Sequence, residues 1–228
     1  VRRYGDSLEY ASDELREDRE IALEAISCGH LPWHYVSYKF LADREFLLDA
    51  VIRAKVAQSD NVLIYANESL TSDRSFIIEV VKRNGKELRL VKKEMQTDKE
   101  VVLAELEHIY GGTNDALPFE NRIYEIAERI AEDFYEEAVD EVIDEAANSF
   151  LEDLDGDAVA VRFREMLVQS VSYTILKRCG CDMTEFADDF TFDYIHEFNT
   201  LRTLSVLGST TSELCEPVLI RIGRTIAR

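Results

Sequence analysis

The segment Cys28-Gly29-His30-Leu31-Pro32-Trp33-His34 holds the tightest grouping of metal-binding residue types in this 228-residue chain. Zinc takes four such groups in a tetrahedron, or three and a water. Cys28, His30 and His34 are at hand, but no other His or Cys lies within sixty residues of them. Gly29 and Pro32 have the chemistry of a turn between helices, and that is the expectation there, rather than a metal centre. Asp153, Asp155 and Asp157 around Gly156 have calcium-loop composition. An EF-hand needs its Gly after the third acidic position and a Glu six residues beyond that Gly. Gly156 comes too early, and Arg162 stands where the Glu should be, so an acidic inter-helix turn is expected. His108 and His196 are isolated. No phosphate-cradling Gly loop, Gly-x-Ser-x-Gly elbow or His-Glu-x-x-His helix occurs. No catalytic residue, metal or cofactor is expected, and the chain is expected not to be an enzyme.

The remaining chemistry is charge. Residues 120–157 carry 15 acidic side chains against Arg122 and Arg129, a local net of −13. Within them Glu132, Asp133, Glu136, Glu137, Asp140, Glu141, Asp144 and Glu145 fall on one helical pattern and are the candidate interaction residues. Such a row can meet a basic protein surface, or imitate DNA phosphates and occupy a DNA-binding protein. It can also be the solvated face of an amphipathic helix.

Overall charge is −20, with 46% hydrophobic residues. Phosphate repels such a surface, so neither nucleic acid nor anionic lipid is an expected direct partner, and a basic protein is. No apolar run approaches the roughly 18 residues of a membrane span. Four cysteines do not make a disulfide framework at this length, and reduced thiols in a cytoplasmic protein are expected. The start, Val1-Arg2-Arg3-Tyr4-Gly5, reads as a cut from a longer polypeptide.

The elements that must position these groups come from a repeat. Asp18, Asp43, Asp73 and Asp98 are spaced by 25, 30 and 25 residues, each followed by Arg19, Arg44, Arg74 or Lys99. Ten residues before each Asp sits Leu8, Trp33, Leu63 or Leu88, and eight before sits Tyr10, Tyr35, Tyr65 or Leu90. Eight after comes Ile26, Val51, Val81 or Leu106. Agreement at several offsets is what a repeat architecture leaves in a sequence. Each unit reads as two short helices, the Asp capping the second. Gly29, Gly85 and Gly111 fit the left-handed stop after second helices. The Tyr series is expected to fill the core between repeats, with hydroxyls at the rim. A two-helix unit this short cannot bury its own apolar side, so neighbours should stack.

Loop chemistry at Gly111-Gly112-Thr113-Asn114-Asp115 and Pro118 divides the chain into 1–112 and 113–228, net −5 and −15. The second part predicts a long helix over 119–151, a second over 159–178 stopped by Gly180, a shorter one over 192–198, and two more over 201–207 and 212–226. The fold class is all-α: a stack of four two-helix units followed by an acidic helical bundle.

Two resemblances add to this. The run from Leu8-Glu9-Tyr10-Ala11 through Leu15 and Asp18-Arg19-Glu20 to Leu23 resembles a widespread family of tandem helical repeats of unknown function, over about 1–108. It implies a fold and lends no activity. Gln169-Ser170-Val171-Ser172-Tyr173, Arg178-Cys179-Gly180, Phe192-Asp193-Tyr194-Ile195 and Leu204 to Ser209 are similar to a helical segment of polyvalent, antirestriction-type proteins of Gram-positive mobile elements, over about 160–226. That family's peptidase chemistry sits on a His-Glu-x-x-His helix, which is missing here, so no catalytic role carries over. The resemblance leaves Glu165 as a possible leftover ligand position. Together these imply a non-catalytic protein-interaction module of a mobile-element protein, or alternatively an acidic DNA mimic that inhibits a restriction or other defence enzyme.

Overall fold

The computed structural model describes residues 5–28, 32–56, 61–96, 98–132, 135–186 and 190–226. Among them the chain is all-helical, with no strand. It forms two compact units, Val1–Ile109 and Tyr110–Arg228.

In the first unit each repeat ends in a longer helix: α2 Arg19–Ser27, α3 Arg44–Val56, α5 Arg74–Arg83 and α7 Lys99–Tyr110. The four repeat aspartates start them as the spacing predicts. Asp18 Oδ1 accepts the Ile21 N–H, Asp43 Oδ1 that of Phe46, Asp73 Oδ1 those of Ser75 and Phe76, and Asp98 Oδ1 that of Glu100. The apolar positions ten before and eight after each Asp are buried in all four repeats, and four after come Ala22, Leu47, Ile77 and Val102, also buried. α2 packs on α3, and α3 on α5.

The first half of each repeat is not the single short helix expected. It is a 3₁₀ turn followed by one more helical turn. The 3₁₀ turns are Gly5–Tyr10, Pro32–His34, Val62–Ile64 and Gly85–Leu90. The turns that follow are α1 Asp13–Arg16, a 3₁₀ stretch Tyr38–Ala42, α4 Glu68–Thr71 and α6 Lys93–Gln96. In the first three repeats the break falls six residues before the Asp. Ser12, Ser37 and Asn67 sit there with extended backbone and restart the helix, and Asn67 Oδ1 takes the Ser69 N–H. Ser12 and Ser37 make no side-chain cap bond, so in the first two repeats the extended backbone at that position alone marks the break. Two residues before the Asp, Arg16 and Gln96 donate back to the Leu8 and Leu88 carbonyls, closing the 3₁₀ turns of their repeats.

Two further expectations change here. Tyr10 is 85% exposed, not core. Tyr65 stacks at 5.2 Å on Trp33 of the preceding repeat, and Tyr35 lies beside Glu9 and Tyr10. Gly85 is no left-handed stop; it opens a 3₁₀ turn, where an added Cβ would come within 3.2 Å of the His108 ring. Gly29 lies outside the described residues. Gly111, at φ +100°, fits its expected role.

The arginine after each of the first three Asp residues ties its repeat to the next. Arg44 reaches Asp73 at 3.0 Å, and Arg74 grips Asp98 with two bonds of 2.6 and 2.8 Å. Arg19 instead meets Asp49, six residues past the next cap. The Arg74 bonds, with backbone N–H groups behind them, hold the Asp98 carboxyl below its usual range. A depressed carboxylate contributes stability that is present above its unfolded pKa, about 3.9, and fades as pH falls through the folded value. Asp98→Asn retains a capping side chain but loses the ion pair. We expect it to be less stable than the parent by about 0.5–1 kcal/mol at pH 7, the range of a partly exposed pair. The gap should narrow as pH falls from 7 to below the ordinary Asp value of about 3.9 and on through the lower folded value. Urea titrations across that pH range test this, and a pH-independent gap would refute it.

In the second unit, α8 Phe119–Glu132 and α9 Tyr135–Asp144 pack with α10 Gly156–Arg178, which also packs on α11 Leu201–Ile226. Ile123, Ile126, Ile130, Val142, Leu151, Phe163, Leu167, Val171, Phe198, Leu214 and Val218 form the interior. The continuous helix expected over 119–151 is not seen: α9 ends at Asp144. Ser149 Oγ donates to the Ala146 carbonyl and accepts the Leu151 N–H, Glu152 accepts the Asn148 N–H, and Asn148 is left-handed at φ +64°. These local bonds replace the helical ladder. They turn Leu151 inward and leave Phe150 65% exposed. Asp155 starts α10 by accepting the Ala158 N–H, so the Asp-Gly segment is a helix entry. α10 ends at Gly180 as expected, with the Gly180 and Cys181 N–H groups bonded to the Lys177 and Leu176 carbonyls and φ +78°. The helix expected over 192–198 is only a 3₁₀ turn, Ile195–Glu197, because Phe192 is left-handed at φ +49°. The two helices expected after 200 are one: α11 runs through Pro217.

Candidate functional site

The acidic row starts on α8 and continues on α9. Their apolar residues, Phe119, Ile123, Ile126, Ile130, Val139 and Val142, face the interior, so the carboxylates between them are left outside. Glu132, Asp140, Glu141 and Asp144 are exposed and Glu145 is half-buried. Asp133 lies outside the described residues, as do the side chains of Glu136 and Glu137. Arginines from other helices neutralise both ends. Arg164 on α10 reaches Glu132 at 3.2 Å and Glu128 at 3.8 Å, and Arg202 on α11 reaches Glu145 at 2.9 Å. Among the described residues, the exposed carboxylates of the row without an ion pair are therefore Asp140, Glu141 and Asp144 on α9.

The histidine and cysteine candidates fall into structural settings. Cys28 caps the end of α2, and His30 lies outside the described residues. The Trp33 ring is buried against Tyr65, and the His34 ring meets Tyr65 edge-on at 5.9 Å. No group of three or more His, Cys, Asp or Glu side chains able to hold a metal occurs among the described residues. His108 Nδ1 bonds the Lys82 carbonyl and His196 Nδ1 the Asp193 carbonyl, so each donates from that nitrogen.

A second feature is a cleft of about 400 Å³ beside α8 and α10, lined by Glu120, Asn121, Tyr124, Glu165, Gln169 and the segment Phe190–Thr191. Spacing on two helices sets it up. Glu120 and Tyr124 are one turn apart on α8, as are Glu165 and Gln169 on α10. Gln169 is buried and fully engaged: Nε2 lies 3.3 Å from Glu165 Oε1, and Oε1 accepts the Phe192 N–H at 2.9 Å. Phe190 packs against Tyr173 at 5.8 Å and Phe192 at 6.3 Å. Burial raises the Tyr124 phenol pKa, and the Glu165 and Glu128 charges push it further. Of these residues the sequence singles out Glu165 alone. The i, i+4 pairs are visible in it, but nothing local says that they face each other.

Among known families, the profile of a domain of unknown function (DUF4116) matches residues 1–31 and 51–96, about a third of the chain and all within the repeat region. No curated protein and no solved structure matches the chain. No described helix is long and apolar enough to cross a membrane.

Proposed function

We propose that the chain is a non-catalytic protein-interaction module, acting in the cytoplasm as part of a mobile-element protein, whose acidic C-terminal unit docks a basic partner surface. The observation that carries this reading is the cluster Asp140, Glu141 and Asp144, exposed on α9 and without an ion pair among the described residues while Arg164 and Arg202 neutralise its neighbours. Fixed carboxylates of one sign accelerate encounter with a basic surface and confer strong salt dependence. The mobile-element setting rests on the resemblance of residues 160–226 alone. The DNA-mimic reading draws less support, since mimicry of a phosphate backbone calls for an uninterrupted row of charge.

The test is titration of the chain with a lysine- and arginine-rich helical peptide and with its acidic counterpart, at low and physiological salt. The basic peptide alone should bind, at least tenfold more weakly at the higher salt. The triple variant Asp140→Asn, Glu141→Gln, Asp144→Asn should lose about tenfold in affinity. Equal affinity of the variant and the parent would remove α9 as the docking face.

A further inference from the structure

We propose that the cleft beside α8 and α10 is a socket for a single arginine side chain presented by a protein partner. The proposal rests on the interaction reading only for the source of that side chain. The chemistry of the socket comes from its walls.

Its charged lining is acidic. Glu120 and Glu165 are acceptors, and no basic residue lines the cleft among the described residues. Arg164 borders the adjoining depression with Tyr124, Val161, Glu165 and Val168, but its guanidinium is drawn to Glu132 and Glu128. The charge of Glu165 is therefore not met by a salt bridge among the described residues. Its Oε1 lies near the Gln169 amide, which holds the carboxylate in place. Gln169 is itself locked by the Phe192 N–H, so the acceptor sits on a rigid support. A carboxylate pre-oriented in this way suits the fork of a guanidinium.

The remaining walls fit the same group. Phe190 lines the cleft and is braced by Tyr173 and Phe192, offering a ring to a planar cation. Asn121, Tyr124 and Thr191 add oxygen acceptors for the other guanidinium N–H groups. About 400 Å³ is near the lower end for ligand sites, and suits a side chain better than an extended ligand. Other occupants fit poorly. Two carboxylates without a third His, Cys, Asp or Glu are a thin donor set for a metal. An anion would meet Glu120 and Glu165 directly.

The experiment uses the full chain and three probes: a short peptide with one central arginine, the same peptide with citrulline, and spermidine. Binding is read from amide NMR shifts. The arginine peptide should shift Tyr124, Glu165, Gln169 and Phe192, and should bind at least fivefold more tightly than the citrulline peptide. Glu165→Gln, which preserves shape, should weaken it about tenfold. Phe190→Ala should weaken it less, and unchanged far-ultraviolet circular dichroism controls for folding of both variants. The triple α9 variant should bind the arginine peptide as the parent does, so failure of the socket and failure of the α9 docking face are told apart. Equal binding of citrulline, no loss in Glu165→Gln, or shifts confined to other surfaces would overturn the proposal. Spermidine binding more tightly than the arginine peptide would overturn the assignment to a protein side chain.

Discussion

Glu87→Ala is expected to destabilise the N-terminal unit by about 3–5 kcal/mol, the largest effect of any single polar substitution there. Glu87 is fully buried. Its Oε1 accepts the N–H groups of Asn61 and Val62 at 2.8 and 3.0 Å, and Oε2 accepts that of Leu63 at 3.0 Å. These open the 3₁₀ turn of the third repeat, where Asn61 is left-handed at φ +99° and its own side chain makes no cap. A carboxylate from the fourth repeat therefore caps the third. Removing it strands backbone donors that water cannot easily reach, and each buried orphan costs about 1–3 kcal/mol. Glu87→Gln should fall between parent and alanine, because one carboxamide oxygen cannot serve both sides and its NH₂ would confront an N–H. Trp33, the only tryptophan, is buried in this unit against Tyr65 and reports its unfolding by fluorescence. A urea midpoint for Glu87→Ala matching the parent's would show that these bonds carry no stability.

Phe163→Ala should cost the C-terminal unit a comparable amount, about 3–5 kcal/mol. Phe163 on α10 and Phe198 are both fully buried, with ring centroids 6.2 Å apart. Truncation removes the transfer free energy of a benzyl group and leaves a cavity that helices on either side cannot close. Phe163→Leu keeps most of the volume and should cost roughly 1–1.5 kcal/mol. Loss of helical circular dichroism in urea measures both. A cost below about 1 kcal/mol for the alanine variant would mean that the site collapses or was never close-packed.

These two residues also show where legibility ends. The repeat phrase fixes caps and apolar offsets through interactions within one or two turns, so Asp18, Asp43, Asp73 and Asp98 are assignable as helix starts from their spacing alone. Glu87 is not. Its partners lie 24 to 26 residues away, and only in its own repeat does an acid occupy that offset. The 3₁₀ turns escape an apolar-offset reading because the extended backbone at Ser12, Ser37 and Asn67 breaks the first half of the repeat, at a position marked by its common distance from the Asp and not by hydrophobic period. On α11 the opposite holds. Gly208 and Pro217 suggest breaks, but Val206, Leu207, Leu214, Cys215, Val218 and Ile222 are buried along one continuous face, and Pro217 itself is exposed. Burial of that face outweighs the hydrogen bond lost at proline.

The candidate site divides in the same way. Charge composition marks α8 and α9 as acidic, but the arginines that neutralise Glu132 and Glu145 come from 32 and 57 residues further on. The amino-acid sequence by itself determined the all-helical class, the Asp-capped repeats, the end of α10 at Gly180 and the surplus of negative charge. All of these follow from backbone preferences and short-range patterns. Only the tertiary structure decided which carboxylates meet an arginine, which acid is buried as a cap, and that Glu165, Tyr124 and Phe190 share one cleft. Such pairings depend on how packed helices bring distant residues together, and no local rule encodes that.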